Sequence, residues 1–230
     1  MSKKSNVLII IPAYNEEENI VRVVRGLEET CPDYDYVVVN DGSSDHTAQL
    51  CRENGFSLLD LPVNLGLTGA IQAGFLYAYQ QGYDAALQFD ADGQHLAQYV
   101  DSLVQELDKG LDVVIGSRFV TQKKNKSLRM LGSSIISACI FLVSRVRIKD
   151  PTSGMRVFSR ATIEKFVHNF NFGPEPDTIS YLIKTGARVS EVQVEMAERI
   201  AGESYLNPWK SMGYMLRMAI SIIFIQAFRK

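Results

Sequence analysis

The chain has 230 residues, 46% apolar and 22% charged, which is enough to bury one sizeable core, or a core with a small appendage, and excludes a disordered tail-like protein. Lys and Arg number 24 against 26 Asp and Glu, so the net charge of −2 gives no global pull toward nucleic acid, and any attraction to anions must be local. Three cysteines, Cys31, Cys51 and Cys139, lack the paired spacing of a zinc site and read as buried thiols in a reducing compartment rather than a disulfide framework.

In chain order, polar residues 1–6 lead into an apolar run at 7–11, ended by Pro12, which is too short for a secretory signal or a membrane span. Short β-rich runs at 7–11, 36–40, 57–61, 85–90 and 112–117 alternate with helical stretches near 16–30, 45–54, 68–81 and 96–109. That alternation predicts an α/β fold in which crossover helices join mainly parallel strands. Runs such as Val7-Leu8-Ile9-Ile10-Ile11 are apolar on both faces, as a central sheet with helices on each side requires. In such a sheet, ligands bind beyond the carboxyl ends of the strands.

After about Phe119 the rhythm breaks. Lys123, Lys124, Lys126 and Arg129 precede an apolar stretch at 130–143, interrupted by Ser133, Ser134 and Ser137, and Arg145, Arg147 and Lys149 follow it. The stretch falls short of the ~20 residues needed to cross a bilayer. A short apolar helix with basic flanks is expected to lie on an anionic membrane surface, the alternative being a core helix with solvated ends. Residues 209–228 form a second apolar stretch with Arg217 in its middle, expected to touch lipid, a partner helix or another copy of the chain. The expected division is a catalytic unit over 1–206, with a membrane-proximal segment at about 123–149, and a C-terminal apolar helix over 207–230.

Three strand ends carry acidic or amide groups to one rim: Pro12-Ala13-Tyr14-Asn15-Glu16, Asn40-Asp41-Gly42-Ser43, and Asp90-Ala91-Asp92-Gly93-Gln94-His95. An Asp-x-Asp in an extended segment projects its carboxylates to opposite sides, one toward a ligand hydroxyl and the other toward a metal. Mg²⁺ or Mn²⁺ accepts such oxygen ligands and keeps positions for diphosphate oxygens. The Gly-x-Gly-x-x-Gly turn of a dinucleotide-binding fold is absent after the first strand, which argues against a dehydrogenase or a Walker-type phosphate loop. The later run Asn64-Leu65-Gly66-Leu67-Thr68-Gly69-Ala70 permits either close helix packing or backbone approach to a ligand. His46 and His168 have no partner at metal-ligand spacing and read as structural.

These segments, with Gly116-Ser117-Arg118, Asp150-x-x-Ser153-Gly154-Met155-Arg156 and Arg199-x-x-Gly202-x-Ser204, occur in an order and spacing that resembles the family 2 glycosyltransferases of the GT-A fold, specifically the dolichol-phosphate-mannose-synthase-like branch. Each motif is weak alone, and the ordered set is specific. The resemblance implies that Pro12, Ala13, Tyr14, Glu16 and Asp41 form the pocket for the nucleotide base and ribose. It implies that Asp90 and Asp92 are the metal and donor-sugar carboxylates, with Gln94 a further metal ligand for Mg²⁺ or Mn²⁺. Arg118, Arg129 and Ser133 are similar in position to groups that hold an acceptor phosphate, Arg118 counting among the catalytic residues with the two aspartates. Arg199 and Ser204 are implied to close over the diphosphate, and His95 either contacts phosphate or caps the helix that follows.

Transfer to a sugar hydroxyl needs a general base, and hydroxyl-using relatives carry an adjacent Glu-Asp pair near a helix start. This chain has Gly173-Pro174-Glu175-Pro176-Asp177 instead. A phosphate monoester, with a second pKa of about 6, is already ionised and needs no base, and Arg118 and Arg129 suit it through charge-assisted hydrogen bonds. The expected activity is therefore inverting transfer from a nucleotide sugar to a polyprenyl phosphate. Resemblance to bacterial enzymes points to UDP-N-acetylglucosamine or UDP-glucose as donor and undecaprenyl phosphate as acceptor, for cell-wall or surface polysaccharide assembly. The same resemblance implies a peripheral protein on the cytoplasmic face of the cell membrane, docked on a small membrane-protein helper or another copy of itself, with no nucleic-acid partner. The rival expectations are a soluble transferase using a saccharide hydroxyl with Glu175 or Asp177 as base, and a non-catalytic nucleotide-sugar-binding scaffold subunit. A nucleotidyltransferase is disfavoured because the glycine-rich N-terminal loop is missing.

Overall fold

The computed structural model describes residues 5–124, 128–168, 173, 175–197 and 208–225, with the backbone alone for 128–129, 208–212 and 225. Seven strands are present among them: β1 (Val7–Ala13), β2 (Asp35–Asp41), β3 (Leu58–Leu61), β4 (Ala85–Gln88), β5 (Val113–Ser117), β6 (Arg156–Ser159) and β7 (Val189–Gln193). The helices are α1 (Ile20–Thr30), α2 (Thr47–Glu53), α3 (Gly66–Gln80), α4 (Val100–Leu107), α5 (Leu128–Ser144), α6 (Arg160–His168), α7 (Pro176–Lys184) and α8 (Pro208–Ile220). The strands form one sheet in the order β3-β2-β1-β4-β6-β5-β7. All neighbours are parallel except β6, which runs antiparallel to both β4 and β5.

The first five strands and four helices lie where the sequence rhythm puts them, with two shifts at the rim. The first helix begins at Ile20 rather than residue 16, because Glu16 donates its backbone N–H to Thr47 Oγ1 (2.8 Å) and so belongs to a loop. The fourth strand stops at Gln88 rather than residue 90, because the Asp90 N–H is taken by His95 Nδ1 (2.8 Å) instead of a neighbouring strand. Asp92 therefore sits in a turn and not, as expected, in extended chain.

Alternation along β1 builds the two core layers. Val7, Ile9, Ile11 and Ala13 face α1 and α4, packing with Val24, Leu27, Leu103 and Val104. Leu8 and Ile10 face the other side, where Phe75, Phe158, Phe166 and Ile179 are gathered. Phe75 stacks on Phe166 with centroids 5.0 Å apart and meets Phe158 edge-on at 5.3 Å, an aromatic cluster that locks α3 and α6 onto the sheet. All three cysteines are buried free thiols, as expected, and burial pushes the Cys51 thiol up to about 11.

The two apolar stretches both fold as two-sided helices. On α5, Ile136, Cys139 and Ile140 are buried while Leu131, Ile135 and Leu142 are exposed. The C-terminal stretch was expected to avoid water on all sides. Instead Met218 and Ile222 join the core beside α5 and α7, whereas Leu216, Ile220 and Phe224 face outward. No described helix is long and apolar enough to cross a membrane.

Candidate active site

The carboxyl ends of β1 and β2 are stitched together. Asn15 adopts a left-handed φ of 54°, donates its N–H to Ser43 Oγ (3.0 Å) and accepts the Ser44 N–H at its Oδ1 (2.9 Å). Glu17 Oε2 accepts the His46 N–H (2.9 Å), and its carboxyl is held below the usual carboxylate range by that bond and by the His46 ring at 2.8 Å. His46 is thus structural, as expected. The sheet register sets Ala13 beside Asn40, so the segment Pro12-Ala13-Tyr14-Glu16 lies next to Asp41. Pro12 and Ala13 are buried, the Tyr14 ring is 46% exposed, and buried Asp41 accepts the Leu65 N–H at 2.7 Å. That last bond ties the glycine-containing start of α3 to the end of β2.

Beyond β4, Asp90 is fixed from three directions. Gln88 Nε2 donates to its Oδ1 (3.0 Å), and its own N–H is donated to His95 Nδ1. Since Nδ1 accepts, the proton of the neutral ring is on Nε2, which lies 3.4 Å from Asp90 Oδ2. Buried His95 therefore orients Asp90, and it does not cap the following helix, whose N-cap position is Leu96 without a side-chain cap bond. Gly154 closes the third side: a Cβ there would stand 2.6 Å from Asp90 Oδ2, so only glycine leaves the carboxylate its place. Asp92 Oδ1 accepts the Gln94 N–H at 3.0 Å.

Because β6 runs antiparallel, the loop before it reaches the same rim and delivers Asp150, Thr152 and Gly154. Asp150 is fully buried and grips Arg118 through Nε (2.7 Å), an Nη (2.9 Å) and the backbone N–H (3.1 Å). Burial pushes the Asp150 carboxyl up, but the hydrogen bonds and charge of Arg118 outweigh it and hold the group below the usual carboxylate range. Glu191 supports this loop by accepting the N–H groups of Lys149 (2.7 Å) and Asp150 (2.8 Å). Ser133 is buried within reach of Thr152 Oγ1 (3.5 Å) and Lys124 Nζ (2.9 Å).

A cleft of about 310 Å³ is lined by Asp90, Gln94, His95, Arg118, Thr152 and Gly154, with Met196 and Ala197 as its far wall. That wall is pinned by the Ala197 N–H donating to the Gln94 carbonyl at 3.0 Å. Three of the expected site residues, Asp90, Gln94 and Arg118, thus meet in one cavity. The Arg129 side chain, Arg199 and Ser204 lie outside the described residues. Asp150, the partner that aims Arg118, carried no role in the sequence reading although it opens the quoted Asp150-x-x-Ser153-Gly154 motif.

The donor set of Asp90, Asp92 and Gln94 is all oxygen, which suits a hard divalent cation. Among the described residues no three His, Cys, Asp or Glu side chains converge. Two carboxylates with remaining positions for phosphate oxygens is the arrangement Mg²⁺ prefers, so the residues fit the expected metal. The alternative bases are engaged elsewhere. The Tyr214 hydroxyl of α8 donates to Glu175 Oε2, and Ser221 Oγ donates to Asp177 Oδ2 at 2.6 Å. Burial, then the Glu175 charge, pushes the Tyr214 hydroxyl far up, so it remains a donor.

The family described as "Glycosyl transferase family 2" matches residues 8–168. The polyprenol monophosphomannose synthase of Mycolicibacterium smegmatis is 31% identical over 213 residues, covering 87% of this chain and 80% of that protein. The UDP-N-acetylglucosamine–dolichyl-phosphate N-acetylglucosaminyltransferase of Methanococcus voltae is 31% identical over 180 residues, covering 69% and 71%. Among solved structures, glucosyl-3-phosphoglycerate synthase from Mycobacterium tuberculosis, in complex with Mn²⁺, UDP and phosphoglyceric acid, superposes with a TM-score of 0.69 at 17% identity, over 98% of this chain and 80% of that one. That likeness places the α/β sheet in the GT-A fold class.

Proposed function

Since this chain belongs to glycosyl transferase family 2, we propose that it moves a sugar from a nucleoside diphosphate to the phosphate of a polyprenyl lipid, inverting the anomeric carbon. The observation that carries this reading is the state of the carboxylates. Glu175 and Asp177, which a hydroxyl acceptor would need as base, accept hydroxyl donors from Tyr214 and Ser221, whereas the cleft presents Arg118 beside Asp90. A site with a cation and no disengaged base suits an acceptor that is already an anion. The polyprenyl and dolichyl phosphates named for the two relatives support the same acceptor class.

In the proposed reaction an acceptor phosphate oxygen attacks the anomeric carbon from the face opposite the diphosphate. The new O–C1 bond forms as the old one breaks, and the electron pair leaves with the nucleoside diphosphate. No proton moves. Arg118, aimed by Asp150, holds the attacking phosphate in line, a positioning effect. Pro12, Ala13, Tyr14, Glu16 and Asp41 seat the nucleoside, and His95 keeps Asp90 turned toward the donor. Asp90, Asp92 and Gln94 would hold Mg²⁺ or Mn²⁺, which when bound neutralises charge on the departing diphosphate. UDP-N-acetylglucosamine and UDP-glucose are the proposed donors, undecaprenyl phosphate the acceptor, and the membrane face where that lipid is loaded the site of action. The sugars named for the relatives differ, mannose in one and N-acetylglucosamine in the other, so GDP-mannose belongs in the test.

The test offers radiolabelled nucleotide sugars to the protein with undecaprenyl phosphate or undecaprenol in detergent. Label should enter the phosphate lipid alone, EDTA should lower the rate by about 100-fold or more, and added Mn²⁺ or Mg²⁺ should restore it. Asp92→Asn should reproduce the EDTA loss without restoration. Product on the alcohol, or a rate indifferent to both EDTA and Asp92→Asn, overturns the reading.

A further inference from the structure

Beside the cleft lies a second, more open groove of about 440 Å³, lined by Phe119, Lys124, Ala138, Phe141, Arg147 and Ile148 among others. Its walls are of two kinds. Phe119, Ala138, Phe141 and Ile148 offer apolar surface, and Lys124, Arg147 and the neighbouring Lys149 offer positive charge. Such a lining fits an amphiphile with an anionic head.

The three cations differ in what they already hold. Lys149 Nζ donates to the Val120 carbonyl at 2.8 Å, and Arg147 lies 5.2 Å over the Phe141 ring. Lys124 is half-buried, yet its hydrogen-bond partners are neutral: Ser133 Oγ at 2.9 Å and Ser137 Oγ at 3.4 Å, with the Phe119 ring 5.4 Å away. Among the described residues no carboxylate forms an ion pair with it, because Asp150 is committed to Arg118 and Glu191 to the backbone of Lys149 and Asp150. Burial lowers the Lys124 ammonium from its ordinary value, with the charges of Asp150 and Glu191 opposing the shift. A partly desolvated ammonium held only by hydroxyls gains most from an arriving anion.

Lys124 also stands at the junction of the two cavities. Ser133, its partner, is 3.5 Å from Thr152 Oγ1, and Thr152 lines the cleft with Asp90 and Arg118. We propose that Lys124 is a second cation for the acceptor phosphate, opposite Arg118, and that the groove beside it takes the first apolar units of the lipid. This rests on the polyprenyl-phosphate reading and extends it to a residue that the reading does not use. On arrival of the phosphate, Nζ exchanges its serine hydroxyls for phosphate oxygens, while the prenyl units lie along Phe119 and Phe141.

The test measures binding of farnesyl phosphate, farnesol and inorganic phosphate to the whole protein, then steady-state transfer. The unaltered protein should bind farnesyl phosphate about tenfold or more tighter than either of the others, since both head and tail contribute. Lys124→Gln should erase most of that advantage and raise the acceptor KM about tenfold, with donor KM unchanged, and Lys124→Arg should restore the acceptor KM. Equal binding of farnesyl phosphate and farnesol by the unaltered protein overturns the assignment without any variant. So does Lys124→Gln that keeps the acceptor KM, or loses donor and acceptor binding together. Transfer to undecaprenol with Lys124-dependent phosphate binding would sink the acceptor reading and leave this site standing. Transfer to undecaprenyl phosphate with an unchanged Lys124→Gln enzyme would do the reverse.

Discussion

At the scale of single residues, the rim is built from groups whose neighbours leave them one position. Gly154 is the sharpest case: alanine there would press its Cβ against Asp90 Oδ2. Gly154→Ala should lower turnover at least about tenfold through a displaced carboxylate, while circular dichroism stays native and Tm falls by only a few degrees. Asp150 gives a pH signature. Its pKa is depressed in the folded protein, so its contribution is complete above the unfolded carboxylate value of about 4 and is lost as pH falls through the lower native value. Denaturant melts should show Asp150→Asn less stable by about 3 kcal/mol at neutral pH, the cost of stranding Arg118, with the gap closing only below about pH 4. The aspartates and Arg118 were legible because their motifs stand at strand ends. The role of Asp150 was not, since 32 residues separate it from Arg118 and the intervening chain breaks the βα rhythm. His95 was half legible: the sequence placed it at the rim, but which ring nitrogen accepts from Asp90 depends on a turn of five residues that spacing alone does not fix.

Among the elements, α3 and α1 make opposite use of glycine. Gly74 of α3 faces β1, and a Cβ there would lie 2.4 Å from Ile10 Cγ2, so the helix rests almost directly on the strand. Gly26 of α1 has nothing within 4 Å of such a Cβ. Gly26→Ala should therefore stabilise the protein by up to about 1 kcal/mol through helix propensity. Gly74→Ala should destabilise it by about 1–3 kcal/mol despite the same gain, as strain against Ile10 exceeds it. Paired thermal melts check both signs. The alternation that made β1 to β5 and α1 to α4 readable ends where β6 inserts in the opposite direction. Four residues, Arg156 to Ser159, carry too little pattern to announce a strand, and only pairing with β4 and β5 defines them.

For the molecule as a whole, the unburied apolar side chains gather on two helices packed against each other, Leu131, Ile135 and Leu142 on α5 and Leu216, Ile220 and Phe224 on α8. Periodicity disclosed both stretches, but their inner faces could not be foretold, because Met218 and Ile222 find partners in residues more than 30 positions away, such as Ile179. On the proposed function this surface meets the bilayer that holds the acceptor. Replacing Leu216, Ile220 and Phe224 together by serine should lower sedimentation with vesicles containing anionic lipid about tenfold or more, and leave transfer to farnesyl phosphate intact.

The reversed strand also dictates the order in which a newborn polypeptide acquires its chemistry. Leaving the ribosome, β1 to β4 find one another at once, whereas β5 must wait as an orphan until β6 emerges to flank it. Asp90 is translated early, but Gly154 and Asp150 reach it only with that late strand. A half-made chain is thereby inert toward activated sugars, and its β5 is the portion most in need of a chaperone's shelter.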